Sequence, residues 1–372
     1  MDKIKFVIVG SGWRSLYYVR IAKALPSQFE LCAMLCRTED KAKKMAGDYN
    51  IYTTTSIEEC RKMNPDFAVV AVNKADIAKV SMEWMDYGIT VLCETPAAQD
   101  AETLRKLWML HKAGKKLVVA EQYTKYPMYD AMIKALGTGI IGEPDCINIS
   151  LAHDYHASSL IRAFLNQKAD VGFAVRAKTY EFPTVETLSR YERFTDGRIS
   201  NKKRTVATFE FSDGKVAFYD FDSEQYRSPI RKNYVKVQGC RGEMKDDTFY
   251  YLDENYRDSV ARLVTADRFI SVEDDNPNLS NVREIVKIEL CQNAKNSLMY
   301  EAVFGECRLS QDETAIARIM AETAKYAKDE NKEYMDIELR GALQDAYTAI
   351  LLDKAVKCQD VITSETQPWQ CE

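Results

Sequence analysis

The chain opens with "IKFVIVGSGWRSLYYVRIAKAL", in which Gly10 and Gly12 separate a strand-like stretch from a helix-like one. No other feature narrows the possible folds as much. A glycine at the first position permits a tight turn out of a strand, and one at the second lets the backbone come close to a pyrophosphate. The following helix would aim the positive end of its dipole at the same phosphates. Ser15 stands where such a fingerprint usually has its third glycine. The match gains weight from its place at the head of a strand–helix series. A tight strand–helix turn without a ligand is the alternative.

The series continues through the first 120 or so residues. "FELCAMLC" is the next strand, followed by the charged helix "TEDKAKKMAGDY". Then come "FAVVAV", the helix "ADIAKVSMEWMDYG", "TVLCE", the helix "AETLRKLWMLHKAG" and "KLVVAE". Fully apolar strands alternating with helices predict a parallel sheet covered on both faces. Gly88 and Gly114 just past helix ends fit the left-handed cap position. From about residue 145 strand runs follow one another without helices. "RTVATFEFSDGKVAFYDF" reads as a hairpin turning at Asp213-Gly214, and "NYVKVQGCRGEMKDD" adds another strand and a turn. Helices return in "DETAIARIMAETAKYAKD" and "LRGALQDAYTAILLDKAVKC"; the polar region 252–304 stays unassigned. The expected fold is α/β: a doubly wound Rossmann domain over 1–122, then an α/β domain over 123–372 with a large open, mainly antiparallel sheet.

Composition removes several function classes. A length of 372 residues allows two domains, and 46% hydrophobic with 29% charged residues is a globular profile. The formal net charge of -5 comes without a long basic run, which argues against nucleic-acid binding. No apolar run approaches the roughly 18 residues of a membrane span, and the start is too short in apolar residues for a signal peptide. Ten cysteines are scattered without a CxxC pair, several (Cys32, Cys36, Cys93) in apolar runs. That predicts reduced thiols in a cytoplasmic protein rather than a zinc site or disulfide frame. With three histidines in all, His111, His153 and His156, no metal centre is expected.

The end of the second strand bears on the cofactor. An acidic residue there would hold the ribose hydroxyls of NAD, but Cys36 and Arg37 occupy the place. A guanidinium suits a 2′-phosphate, so the reading favours NADP over NAD. Alternatively Arg37 stacks on adenine, or pairs with Glu39 or Asp40 at the surface.

Together "GSGWRS", "AVNKAD", "LCETPAA", "EQYTKYP" and "GTGIIGEP", with the later "ATFEFSDGKVAFYDF" and "DVITSETQPW", make a chain that resembles the Gfo/Idh/MocA oxidoreductases. The resemblance implies a Rossmann domain followed by an α/β domain whose open sheet often mediates oligomerisation, here a homodimer or homotetramer. It implies hydride transfer between a nicotinamide and a ring carbon of a sugar or cyclic polyol. It places Trp13 and Arg14 beside the cofactor turn, and Asn73, Glu94, Thr95 and Pro96 along the cofactor cleft. Glu121 and Tyr123 follow the fifth core strand, where open α/β sheets bind ligands. Relatives read Glu-Lys-Pro where this chain has Glu94-Thr95-Pro96, so it resembles an atypical subgroup. Threonine cannot supply the cation that polarises the reacting oxygen. Lys125 and Lys74 are candidates to replace it.

In "AHDYHASSLIR" His156 fits the family's histidine position, with His153 three residues before it and Tyr155 between. An imidazole with a pKa near 6.5 takes a hydroxyl proton at physiological pH, as abstraction of hydride from a carbinol requires. His156 is therefore the first candidate base and His153 the second, with Tyr123 and Tyr155 as substrate contacts. Arg162, nearly opposite His156 on the predicted helix, is expected in a salt bridge. The run "FYDFDSEQYRSP" offers aromatic faces for a pyranose, or ordinary sheet packing. The leading expectation is an NAD(P)-dependent oxidoreductase acting on a sugar, glycoside or cyclitol. Redox-assisted glycoside cleavage and a non-catalytic NAD(P)-binding regulator are the alternatives.

Overall fold

The structure, a computed structural model, describes residues 3–189, 192–271, 281–292 and 295–371. Two compact units divide the chain: Met1–Pro127 with Thr265–Lys287 and Tyr300–Leu343, and Met128–Val264 with Ile288–Met299 and Gln344–Glu372.

The first unit begins with β1 (Ile4–Val9), α1 (Ser15–Ala24), β2 (Phe29–Leu35), α2 (Glu39–Tyr49), β3 (Thr53–Thr54) and α3 (Ile57–Lys62). It continues with β4 (Phe67–Val70), α4 (Ile77–Asp86), β5 (Thr90–Cys93), α5 (Ala101–Lys112) and β6 (Leu117–Val119). These strands form a six-stranded parallel sheet in the order β3-β2-β1-β4-β5-β6. All four residues of β4 and of β5 are buried, as expected of strands covered on both faces. Gly88 and Gly114 take φ values of +78° and +89° just past α4 and α5. Chain order reverses between β1 and β4, so the crevice at their carboxyl ends is the topological switch point where open sheets of this kind bind ligands. The core beneath includes Phe6, Ile8, Phe67, Val69 and Leu92, and also Phe304, Leu309, Ile316 and Met320 from far along the chain.

Further along come α6 (Pro127–Gly137), β7 (Pro144–Ser150), α7 (Asp154–Phe164), β8 (Phe173–Val185), β9 (Ile199–Phe211) and β10 (Val216–Asp222). They are followed by β11 (Tyr234–Gly239), β12 (Gly242–Lys245), β13 (Thr248–Leu252), β14 (Asp258–Ser271), β15 (Asn281–Gln292) and β16 (Lys295–Glu301). The chain closes with α8 (Gln311–Ala327), α9 (Lys332–Cys358) and β17 (Ile362–Thr363). The region left unassigned from sequence thus supplies β14, β15 and β16, although 272–280 lie outside the described residues. The second sheet has eleven strands in the order β16-β15-β14-β13-β12-β11-β7-β10-β9-β8-β17. It is mixed: β7 and β10 run parallel, while β8–β9, β9–β10, β7–β11, β11–β12, β12–β13 and β13–β14 are antiparallel. The hairpin at Asp213-Gly214 joins β9 to β10, with Gly214 at φ +89°.

Strand β8, "FAVRAKTYEFPTV", was not read from sequence, and it carries Pro183 near its end. Proline lacks the N–H a central strand needs. Here β17 pairs only with Ala174 and Val175, so the rest of β8 is a sheet edge where that donor is not required.

On α7, Arg162 makes a two-pronged bond to Asp345 of α9, 2.9 and 2.7 Å, with the Asp345 side chain 4% exposed. The expected salt bridge is present. Removing one member of such a buried pair strands the other charge. Asp345→Ala is expected to lower stability by about 3–5 kcal/mol, seen as an earlier urea transition of α-helical circular dichroism.

Candidate functional site

At the carboxyl edge of the six-stranded sheet, the two glycines of the turn do different work. Gly10 has φ +115°, and a Cβ there would stand 2.4 Å from the Ala71 carbonyl oxygen at the end of β4. Its lack of a side chain is a demand of the fold. A Cβ on Gly12 would meet nothing within 4 Å. Nothing in the protein's own packing requires glycine there, whereas a ligand approaching the backbone would. Helix α1 begins behind this turn without a side-chain hydrogen bond at its N-cap, whereas Thr38, Ser56 and Asp100 cap α2, α3 and α5. The N–H groups of Ser15, Leu16 and Tyr17 donate to the carbonyls of Gly12, Trp13 and Arg14, so an anion here would meet the positive end of the helix dipole. Ser15, in the third-glycine position, is fully buried.

The neighbouring strand ends close around the turn. Cys36, buried at the end of β2, is hydrogen-bonded to the Ser11 side chain, and burial raises its thiol pKa above the ordinary value. Arg37 is 84% exposed; its nearest acid is Asp76, 3.9 Å away, rather than Glu39 or Asp40. Asp76 is held in turn by Asn73, whose Oδ1 accepts the Asp76 backbone N–H at 3.0 Å and whose amide donates to Oδ2 at 2.6 Å. The structure therefore brings Gly10, Gly12, Cys36, Arg37 and Asn73 to one edge, the last two through an acid that sequence reading had not singled out.

Glu94 and Arg14 are committed to each other. Arg14 Nε donates to Glu94 Oε1 at 2.8 Å, Tyr18 donates to the same oxygen at 2.6 Å, and Arg14 Nη1 reaches Asp312 at 2.9 Å. Burial alone would lower the Arg14 pKa, but Glu94 and Asp312 outweigh it and keep the guanidinium charged. Burial and then Glu94 push Tyr18 well above its ordinary value, so it remains a donor. The network ties the glycine turn to the "CETP" turn after β5. Asp312 was invisible to local pattern because it lies 298 residues from Arg14. Thr95 is partly exposed, Pro96 is buried, and the bond between them is cis. Trp13 is 45% exposed and packs edge-on against Tyr17.

After β6, Glu121 accepts the Tyr123 backbone N–H at 3.1 Å, and Tyr123 packs against Tyr126. Lys125 turns toward α9, with its ammonium 3.0 Å from Glu338 and 2.9 Å from the Tyr334 hydroxyl. Burial would lower its pKa; Glu338 and Tyr334 overcome that and raise it, so Lys125 is held as a cation.

In the second unit, the parallel strands β7 and β10 deliver a histidine–tyrosine cluster at their carboxyl ends. His153 follows β7 and is the N-cap position of α7, with no side-chain capping bond. Asp154 adopts φ +42°, a left-handed conformation that aspartate tolerates, and its N–H lies 3.4 Å from the buried Tyr219 hydroxyl. His153 and His156 rings lie 5.0 Å apart edge to face, and Tyr155 and His156 rings 4.4 Å apart. His156 is 6% exposed and Tyr155 8%, while His153 is only partly buried. Tyr226, after β10, bonds both the backbone N–H of His153 (3.1 Å) and its Nδ1. Its place is set by the preceding Gln225, whose amide donates to the Ser150 carbonyl at 3.1 Å and whose Oε1 accepts the Asp222 N–H at 3.0 Å. The aromatic run "FYDFDSEQYRSP" was the available signal, but nothing in it singled out Tyr226.

All ten cysteines are free thiols, and burial raises Cys60 to about 11 and Cys93 to about 12. No group of described residues could hold a metal ion, and none of the described helices is long and apolar enough to cross a membrane.

Comparison with known proteins agrees with the fold. Residues 4–122 match the oxidoreductase family with an NAD-binding Rossmann fold, Gfo/Idh/MocA. No curated protein matches the chain. Among solved structures, an oxidoreductase from Thermotoga maritima is 16% identical with a TM-score of 0.63, over 97% of this chain and 98% of that one. An oxidoreductase from Agrobacterium radiobacter in complex with NAD+, L-tartaric acid and magnesium is 12% identical, with a TM-score of 0.63 over 97% and 98%. A scyllo-inositol dehydrogenase from Lactobacillus casei is 14% identical, with a TM-score of 0.61 over 97% and 98%. At these identities the likeness is one of fold. Over residues 4–122, with its glycine turn and strand order, the chain is similar to the NAD-binding Rossmann domain of the Gfo/Idh/MocA oxidoreductases.

Proposed function

We propose that the protein is an NAD(P)-dependent oxidoreductase that moves hydride between a nicotinamide and a ring hydroxyl or carbonyl carbon of a sugar, glycoside or cyclitol. The observation that carries the reading is the open face of Gly12, a glycine that the protein's own packing does not need. The turn from Gly10 to Gly12 and the first turn of α1 would hold the pyrophosphate, with Cys36, Arg37 and Asn73 toward the ribose and the Glu94–Pro96 turn beside the nicotinamide. When bound, the nicotinamide supplies a carbon that accepts or returns hydride. The chain's own task is the proton: as a carbinol carbon gives up hydride, its oxygen must lose a proton, and His156 and His153 are the candidate bases to receive it. Tyr155 is a partner for a substrate hydroxyl. The fold likeness to a scyllo-inositol dehydrogenase supports the polyol class.

Arg37 makes NADP the preferred form. It is exposed, and no carboxylate stands at the end of β2 to meet ribose hydroxyls. A guanidinium–phosphate bond contributes about 1.5–3 kcal/mol, or about tenfold to a hundredfold in affinity. Arg37→Gln is thus expected to weaken NADPH binding by that factor in calorimetric titration and to leave NADH nearly unchanged. Equal losses for both cofactors would remove the 2′-phosphate assignment.

A non-catalytic NAD(P)-binding regulator is the second reading. It is favoured by Thr95 and by the engagement of Lys125 with Glu338 and Tyr334, since neither offers a cation to a reacting oxygen. A turnover screen with sugars, glycosides and cyclitols separates the two, and redox-assisted cleavage would show product without net NADH.

The chain is further proposed to self-associate through the face of the eleven-stranded sheet on which Val206, Phe218, Tyr250 and Val260 stand 42–54% exposed. Apolar side chains in that number on one sheet face favour a partner surface. Val206→Glu together with Phe218→Glu is expected to shift the mass measured by light scattering from dimer or tetramer to monomer. The ten free thiols suit a reducing, cytoplasmic setting.

A further inference from the structure

Tyr226 offers one hydroxyl oxygen to two atoms of the same residue. The His153 backbone N–H lies 3.1 Å from it, and His153 Nδ1 is in hydrogen-bond contact with it. Across the ring, Nε2 lies 3.3 Å from the Tyr155 hydroxyl. A backbone N–H only donates, so it occupies the accepting side of the phenol. Conjugation with the ring leaves a phenol oxygen one strong acceptor direction, and two N–H groups from one residue converging there would set their hydrogens against each other. The hydrogen between Tyr226 and Nδ1 therefore comes from the tyrosine. An imidazole whose Nδ1 accepts carries its hydrogen on Nε2.

We infer that Tyr226 is a positioning residue that holds neutral His153 as the Nε2–H tautomer, so that Nδ1 is the nitrogen at which His153 takes up a proton. The inference deepens the oxidoreductase reading and rests on it for its functional meaning. When the imidazole becomes imidazolium, the new N–H bond forms at Nδ1 as the O–H bond of the proton donor breaks and the Tyr226 hydroxyl hydrogen gives up its place there; no electron changes hands. Nε2–H stays directed to Tyr155. The backbone bond from His153 and the bonds of Gln225 to Ser150 and Asp222 hold the phenol against the ring.

The test is a two-bond proton–nitrogen spectrum of the full-length protein labelled with 15N-histidine, recorded where the ring is neutral. With three histidines in the chain, loss of one ring system in His153→Gln assigns the signals. The wild-type protein is expected to show a protonated, pyrrole-type Nε2 and an unprotonated, pyridine-type Nδ1. Tyr226→Phe is expected to average the two toward a tautomer mixture, and to lower kcat by about tenfold or more with KM little changed. A wild-type spectrum with hydrogen on Nδ1, or with both nitrogens averaged, overturns the inference and requires no variant to fold. An unchanged spectrum in Tyr226→Phe overturns it as well. The Nε2–H pattern in a protein that turns over no sugar or cyclitol supports the tautomer assignment and overturns the oxidoreductase reading instead.

Discussion

Gly12→Ala is expected to leave the unfolding transition where it is and to weaken dinucleotide binding tenfold or more, about 1.4 kcal/mol or above. The reason is the open space around it: a methyl on Gly12 meets no protein atom within 4 Å, so the folded chain accommodates it. A pyrophosphate resting on that backbone would collide with the same methyl. Gly10→Ala should do the reverse in order of cause. Its methyl would stand 2.4 Å from the Ala71 oxygen and 2.9 Å from its carbon, at a φ of +115° that L side chains avoid. Backbone strain and overpacking together predict a loss of about 2–5 kcal/mol, visible as an earlier urea transition, with binding lost as a consequence. The pair is read by two instruments, denaturation for Gly10 and calorimetric titration with NADPH and NADH for Gly12. If Gly12→Ala binds both cofactors as the parent chain does, the phosphate assignment of the turn fails. If it unfolds the chain, the open face seen in the structure is wrong.

The larger kinetic effect is expected at the histidines. His156→Gln and His153→Gln should each lower kcat by about 10²–10⁴-fold, the usual contribution of a positioned acid or base. Dinucleotide affinity should be unchanged, because the glycine turn is built from a different part of the chain. Glutamine retains hydrogen-bonding capacity in the place of the ring but cannot gain a proton near neutral pH, so the loss reports proton transfer. The variant with the deeper fall identifies the base; the shallower one identifies its support. His156 is the candidate that the resemblance favours, whereas His153 is the ring held between the hydroxyls of Tyr226 and Tyr155. Turnover at the parent rate in both variants would remove the cluster from the chemistry and favour the regulator reading.

Much of the first sheet was legible because its central strands β4 and β5 are buried on both faces and helices α4 and α5 each run into a glycine. The apolar runs "IKFVIVG", "FAVVAV" and "TVLCE" became β1, β4 and β5, and Gly88 and Gly114 end α4 and α5 in the left-handed region. The short β3 and α3 escaped notice, since "TTTSIEECRK" is too brief and too polar to show a period. In the second half the alternation was readable at the β9–β10 hairpin, whose Asp213-Gly214 turn is a local signal. Strand β8 was not read; it carries Pro183, a residue whose tolerance depends on whether another strand lies alongside.

The candidate site divides in the same way. Gly10, Gly12, Cys36 and Arg37 could be named from sequence because a strand–turn–helix unit places them by local geometry alone. His153, Tyr155 and His156 could be named because they fall within one short stretch. Asp76 as the partner of Arg37, Asp312 as the partner of Arg14, Glu338 as the partner of Lys125, and Tyr226 as the partner of His153 could not. Hydrogen bonds and ion pairs act over a few ångströms of space, whatever the distance along the chain. The sequence by itself determined the parallel sheet, the glycine turn and the identity of the candidate groups, since burial periodicity and backbone freedom are local properties. Only the tertiary structure decided which charges are already spent on each other and which hydroxyl each ring nitrogen of His153 faces, because those depend on which distant residues the packed core brings into contact.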